Sequence, residues 1–318
     1  MLIQVFLMIL GFALLVFGAN WFVDGASSLA AKYNVSNLTI GLTVVAFGTS
    51  APELAVSAFA SFSDHQEIVF GNVIGSNNFN LFLILGIAGL IAPLVVQSNT
   101  VWKEIPLSLL AVIIVFFMSY NVFSNEAHFL YRYEGFVLLG LFAAFMIRIY
   151  VQLKSEQNDQ AQGTKQLNGV KMTVFIVAGL AALVGGGKLV VNNAIVLASD
   201  MGVSEKIIGL TIVAAGTSLP ELVTSVVAVL KKNNDIAVGN VIGSNIFNIF
   251  FILAISIIIR PMPYDARFNV DLLLLAGGTM FLFVAMFTGQ KKKLDRWEAA
   301  VLLVTFIMYT LYLILGEV

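Results

Sequence analysis

The stretch IGLTVVAFGTSAPELAVS, Ile40 to Ser57, returns as IGLTIVAAGTSLPELVTS over Ile208 to Ser225, and each copy carries one glutamate, Glu53 or Glu221, in an otherwise apolar run. A charged carboxylate at the centre of a spanning helix costs about 2.5–3.5 kcal/mol on insertion scales. Two of them at equivalent positions are read first as an ion site between repeats. The offset is a constant 168 residues without a gap from Gly18/Gly186 through Glu53/Glu221 and Asn80/Asn248 to Pro93/Pro261. The chain is a duplication.

Composition sets the class. With 59% hydrophobic and 11% charged residues, the chain is far too apolar for a soluble globule, where about 25% charge is usual. It reads as a polytopic membrane protein with the lipid bilayer as its surroundings. The absence of cysteine excludes disulfides and thiolate metal sites, and His65 and His128 fall near expected loops, so zinc chemistry has little to work with. No basic run marks nucleic-acid binding. Residues 2–18 are apolar but follow no basic residue, and their copy at Val170 to Gly186 lies mid-chain, so this stretch is read as a helix and not as a cleaved signal.

Apolar runs of about 20 residues place spans near 2–31, 38–62, 67–91, 103–120 and 128–150, then 172–200, 206–230, 236–259, 269–289 and 297–315. The expected fold is all-α, ten transmembrane helices in two five-helix repeats, 1–150 and 171–318, with their motif regions at 38–91 and 206–259. The polar segment 151–170 reads as a cytoplasmic linker. An odd number of spans per repeat inserts the second copy upside down, about a pseudo-two-fold axis in the membrane plane. With the N-terminus outside, twelve basic residues fall in inner loops, among them Lys32, Lys103, Lys231, Lys232 and Lys291 to Lys293, against Arg132, Lys206, Arg260 and Arg267 outside. This positive-inside bias puts both termini outside.

Pro52 and Pro220 cannot donate to the carbonyl four residues back, so the helix is expected to kink and loosen the carbonyls of Thr49 and Thr217 one turn from the carboxylates. Ser50 and Ser218 add hydroxyls, giving an all-oxygen cluster suited to hard cations. The second repeated motif is GNVIGSNNFN, Gly71 to Asn80, and GNVIGSNIFN, Gly239 to Asn248. Asn72, Ser76 and Asn80 form an i, i+4, i+8 stripe, as do Asn240, Ser244 and Asn248, and their oxygens can complete a shell of six to eight around Ca²⁺. Gly71, Gly75, Gly239 and Gly243 would let helices approach closely. Taken singly, Ser76, Asn77, Ser244 and Asn245 could equally be interhelical hydrogen bonds. Asp24, its counterpart Asn192 and Lys188 read as anchors toward helix ends, and Trp21, Trp102 and Trp297 as interfacial.

These motifs resemble the cation/Ca²⁺ exchanger superfamily, in particular its prokaryotic Na⁺/Ca²⁺ exchangers, and the likeness extends over essentially the whole chain. It implies a prokaryotic cytoplasmic-membrane protein that holds Ca²⁺ with Glu53, Glu221 and the carbonyls of Thr49 and Thr217. It further implies Na⁺ sites from the carbonyls of Ala46 and Ala214, from Ser50, Ser218, Ser76 and Ser244, and from the same glutamates. Spans 1 and 6 would slide as a pair across the core, with Gly18, Gly25 and Gly185 to Gly187 at the low-friction contact. Asparagine at both 80 and 248 departs from members that carry an aspartate at one of these positions. The expected function is antiport of Ca²⁺ against Na⁺ without a cofactor, with a proton-driven exchanger as the alternative. A channel would need a subunit ring, and an enzyme a nucleophile or ligand set that the spans lack. The sequence leaves oligomeric state open.

Overall fold

The structure, a computed structural model, describes residues 2–120, 129–156, 167–201, 214–289 and 292–316. Among these, eight helices are long and apolar enough to cross a bilayer, and a bent pair makes a ninth. In chain order they are α1 (Leu2–Lys32), the bent pair α2 (Asn37–Thr49) and α3 (Ala51–Phe62), α4 (Gln66–Ile91), α5 (Thr100–Ser119), α6 (Arg132–Glu156) and α7 (Gly169–Asp200). They continue with the shorter α8 (Leu219–Leu230), then α9 (Asn234–Ile259), α10 (Ala266–Ala285) and α11 (Arg296–Gly316). The expected span 206–230 is seen only from the short turn Ala214–Gly216 onward, because 206–213 lie outside the described residues, as does His128. Helix α6 runs to Glu156, past the expected end at 150: polar residues with good helix propensity, such as Gln152, Lys154 and Glu156, prolong it into the linker.

The two longest helices, α1 and α7, are equivalent in sequence and pack antiparallel. A Cβ added at Gly11 would sit 2.9 Å from Gly186 O, and one at Gly18 would sit 2.8 Å from Gly179 O. Because 11 and 179, like 18 and 186, are 168 apart, each helix meets the other at the same pair of positions. This is a two-fold crossing of backbones at which any side chain would collide. It corrects one expectation: Gly18, Gly25 and Gly186 join α1 to α7 instead of facing the core. Gly185 has open space beside it among the described residues, and Gly187 meets Pro220 only at an ordinary 3.7 Å.

Helices α4 and α9 are the most enclosed of the long helices. Gly239 and Gly243 let α9 lie on the backbone of α2, with added Cβ atoms 2.8 Å from Leu38 O and 2.9 Å from Leu42 O. Gly71 and Gly75, expected to do the same for α4, have open space beside them among the described residues; the segment equivalent to α2 falls mostly within the undescribed 202–213.

Two short ladders tie the repeats together outside the helices. Strand β1 (Leu94–Val95) pairs antiparallel with β4 (Lys293–Leu294), and β2 (Phe129–Leu130) with β3 (Met262–Pro263). Ion pairs join other ends: Arg148 to the buried Glu104 at 2.6 Å, Lys231 to Asp24 at 2.6 Å, and Arg260 to Asp64 at 2.5 Å. Asp24 is thus an ion-pair partner, not a free anchor. In the loop after β3, hydrogen bonds from Arg267 hold the Asp265 carboxyl below its usual range.

Candidate ion-binding site

Proline sets the local geometry. Helix α2 ends at Thr49, Ser50 leaves helical dihedrals at φ −81°, ψ 7°, and α3 starts with Pro52 in its first turn, bent 46° from α2. The second repeat does the same: Ser218 sits at φ −89°, ψ 6°, and α8 opens with Pro220. Proline fits a first turn because no intrahelical partner is needed there. Glu53 and Glu221 consequently fall in the first turns of α3 and α8, where the helix dipole favours a negative charge.

A second irregularity repeats as well. Helices α4 and α9 contain π-helical turns at Phe79–Ile84 and Asn248–Leu253, placing Asn80 and Asn248 where the backbone ladder is loosened. Such turns concentrate at functional sites. A third lies in α2 at Gly41–Val45.

Each glutamate is held by the other repeat. Ser218 Oγ donates to Glu53 Oε1 at 3.0 Å, and Ser50 Oγ donates to Glu221 Oε1 at 3.0 Å. Ser76 Oγ lies 3.0 Å from Ser218 Oγ. Asn72 donates to the carbonyl of Glu53 at 3.0 Å and to Ser57 Oγ at 2.8 Å, and Asn240 donates to the carbonyl of Glu221 at 3.3 Å and to Ser225 Oγ at 2.9 Å. Across the repeats, Thr217 Oγ1 meets Asn72 Oδ1 at 3.2 Å and Thr49 Oγ1 meets Asn240 Oδ1 at 3.0 Å.

What remains unpaired is all oxygen. Among the described residues, Glu53 Oε2, Glu221 Oε2, Asn80 Oδ1, Asn248 Oδ1 and Ser244 Oγ have no hydrogen-bond partner, and each of these residues is at most 1% exposed. A buried polar atom without a partner costs about 1–3 kcal/mol, more when charged. A hard cation satisfies several such oxygens at once.

The structure thus joins Glu53 to Ser218 and Ser76, and Glu221 to Ser50, in two hydrogen-bonded sets that each cross the repeats, with Asn80 buried beside Ser76 on α4, and Ser244 and Asn248 buried on α9. Thr49 and Thr217 turn their hydroxyls toward Asn240 and Asn72. The carbonyl of Ala46 accepts the Ser50 N–H at 3.0 Å and lies 3.3 Å from Thr49 Oγ1, so it is engaged within the protein. Ala214 opens the turn before Thr217. Reading the sequence misses Ser57 and Ser225, although both close the repeated segment, and it misses that Asn72 and Asn240 brace the glutamates' own backbone.

A family model described as sodium/calcium exchanger protein matches residues 3–151 and 171–315. The chain belongs to the sodium/calcium exchanger family. This exchanger is 37% identical over 97% of its length to a putative antiporter, CaxA, of Alkalimonas amylolytica, covering 98% of that protein. It is 33% identical to the sodium/calcium exchanger MaX1 of Methanosarcina acetivorans, over 96% and 97% of the two chains. The solved structure of the sodium-calcium exchanger NCX_Mj, soaked with Na⁺ and Sr²⁺, superposes with a TM-score of 0.81 at 34% identity, covering 96% of this chain and 97% of that one. The exchanger is therefore an all-helical integral membrane antiporter, not an enzyme.

Proposed function

We propose that this exchanger moves Ca²⁺ against Na⁺ by alternating access, with Glu53 and Glu221 as the charged ligands. The observation that carries the reading is the reciprocal pair of glutamates, each with one oxygen bonded to a serine of the other repeat and one oxygen buried and without a partner among the described residues. The pair supplies charge −2 in a low-dielectric setting, which one Ca²⁺ neutralises. Asn80, Asn248, Ser76 and Ser244, with the carbonyls of Thr49 and Thr217, are the neutral oxygens that would complete the shell. The surplus of neutral oxygens beyond one Ca²⁺ supports smaller Na⁺ cages around the same acids, with Ser50, Ser218, Ala46 and Ala214, and so favours Na⁺ over protons as the coupling ion. The family's sodium/calcium name and MaX1's name point the same way.

The topology proposed with it is ten spans in two inverted repeats, both termini outside a prokaryotic cytoplasmic membrane. The antiparallel α1 and α7 support inversion. Both ladders and the Arg260–Asp64 and Lys231–Asp24 pairs join segments that this count puts on one face. Proton coupling is the second reading, favoured by asparagine at both 80 and 248, which leaves the two glutamates as the acids of the site.

Calcium binding to the purified protein tests the proposal, with Na⁺ replacing choline at fixed pH and ionic strength. Sodium should displace Ca²⁺ with a steeper than first-order dependence. Displacement by protons but not by Na⁺ would overturn it.

A further inference from the structure

We propose that Asn77 and Asn245, which lie behind the ion site, are positioning residues that dictate which end of the Asn248 and Asn80 carboxamides faces the cation. The proposal rests on the exchange reading above. Two backbone carbonyls, which can only accept, fix the direction of the network. Asn77 Nδ2 donates to the carbonyl of Asn245 at 3.2 Å, and Asn245 Nδ2 donates to the carbonyl of Asn77 at 3.4 Å. Each of these amides therefore has its NH₂ end fixed, and its Oδ1 must point the other way.

An oxygen so fixed can be satisfied only by a donor. Asn248 Nδ2 donates to Asn77 Oδ1 at 2.9 Å, and Asn80 Nδ2 donates to Asn245 Oδ1 at 3.1 Å. The NH₂ ends of Asn80 and Asn248 are thereby spent on the lock, and their Oδ1 atoms find no partner among the described residues. All four side chains are at most 1% exposed, so no water rewrites this polarity. Asn80 lies one turn beyond Ser76, which bonds the Ser218 that holds Glu53. A reversed amide would offer N–H to a cation and remove a ligand. Each lock residue acts on the amide of the opposite repeat, so the lock also fixes the two halves against each other.

The test uses the full-length exchanger in vesicles and measures half-saturating Ca²⁺, maximal rate per inserted protein and thermal stability in detergent. Asn77→Ala should raise half-saturating Ca²⁺ about tenfold, as loss of an outer-shell partner of a metal ligand does, at nearly unchanged maximal rate. In an Asn248→Asp background the same change should cost less than about twofold, because a carboxylate has oxygen at both ends and cannot be turned the wrong way. Asn245→Ala with Asn80→Asp repeats the cycle if the first pair fails to insert. Independent costs in both cycles, or a loss of thermal stability with Ca²⁺ affinity unchanged, would overturn the lock while leaving the exchange reading standing. Wild-type protein that neither binds nor moves Ca²⁺ would overturn the exchange reading, and the lock with it.

Discussion

Lys231 at the end of α8 donates to Asp24 of α1 at 2.6 Å, and the two-fold relation does not repeat this pair: the counterparts are Ser63 and Asn192. Two more bonds reinforce it, from Lys231 to Asn20 O and from Asn233 to Ser27 Oγ, both at 3.0 Å. Helix α1 lies along α8, whereas its counterpart α7 makes almost no contact with α3. Among the described residues the two repeats are therefore held differently: α1 is tied to α8, and α7 is not so tied to α3. In the alternating-access proposal, exchanging these two arrangements between the repeats would interconvert the two access states.

Removing the latch should shift the balance between the two states. Asp24→Asn or Lys231→Gln is expected to change half-saturating Ca²⁺ about two- to fivefold, the range for a partly exposed pair. The charge-reversed double variant Asp24→Lys with Lys231→Asp should restore it. Unchanged affinity in both single variants would reduce the pair to a surface contact.

Glu53→Gln and Glu221→Gln should each insert normally and lose exchange by about 100-fold or more, since each strips half the charge that balances a buried divalent ion. Ser50→Ala should cost less, about tenfold, because it removes one hydrogen bond to a carboxylate, about 1.5 kcal/mol, and Ser218→Ala should cost more than Ser50→Ala because it also loses the contact with Ser76. Vesicle uptake normalised to inserted protein checks both. A glutamine variant with near-wild-type flux would remove that glutamate from the site.

At the α1–α7 crossing, Gly11→Leu or Gly186→Leu has nowhere to go, with backbone oxygen already 2.9 or 2.8 Å from a Cβ. Overpacking of this kind costs about 1–3 kcal/mol or more. Gly185→Ala, in open space, should be neutral. Melting curves in detergent distinguish them, and equal stability of all three would contradict the crossing.

Much of this was legible in the sequence because a membrane forces it. Apolar runs must be helices, a duplicated glutamate is too expensive to be incidental, and proline beside it must end a helix, so the break at Ser50 and Ser218 follows from GTS-x-PE. What the sequence does not reveal lies in register and direction. The crossing of Gly11 with Gly186 needs the inversion plus a rotation about each helix axis. Asn77 and Asn80 look alike on paper, and only the carbonyl of Asn245 separates the brace from the candidate ligand. The π-helical turns have no residue signature in this chain.

The topology gives a separate check. A cysteine at Thr164 should react only with reagent on the side facing the lysine-rich loop Lys291 to Lys293, and one at Asp64 only from the opposite side. Labelling of both from one face would break the ten-span count.

Ca²⁺ accumulation by vesicles loaded with Na⁺ and diluted into Na⁺-free buffer at equal pH, with the membrane potential clamped, decides whether Na⁺ drives this exchanger. The outward Na⁺ gradient should drive Ca²⁺ uphill, with Glu53→Gln and Glu221→Gln vesicles flat and low pH acting only to inhibit. Uptake indifferent to Na⁺ that follows an imposed pH gradient in Na⁺-free buffer would contradict the account and make the exchanger proton-driven.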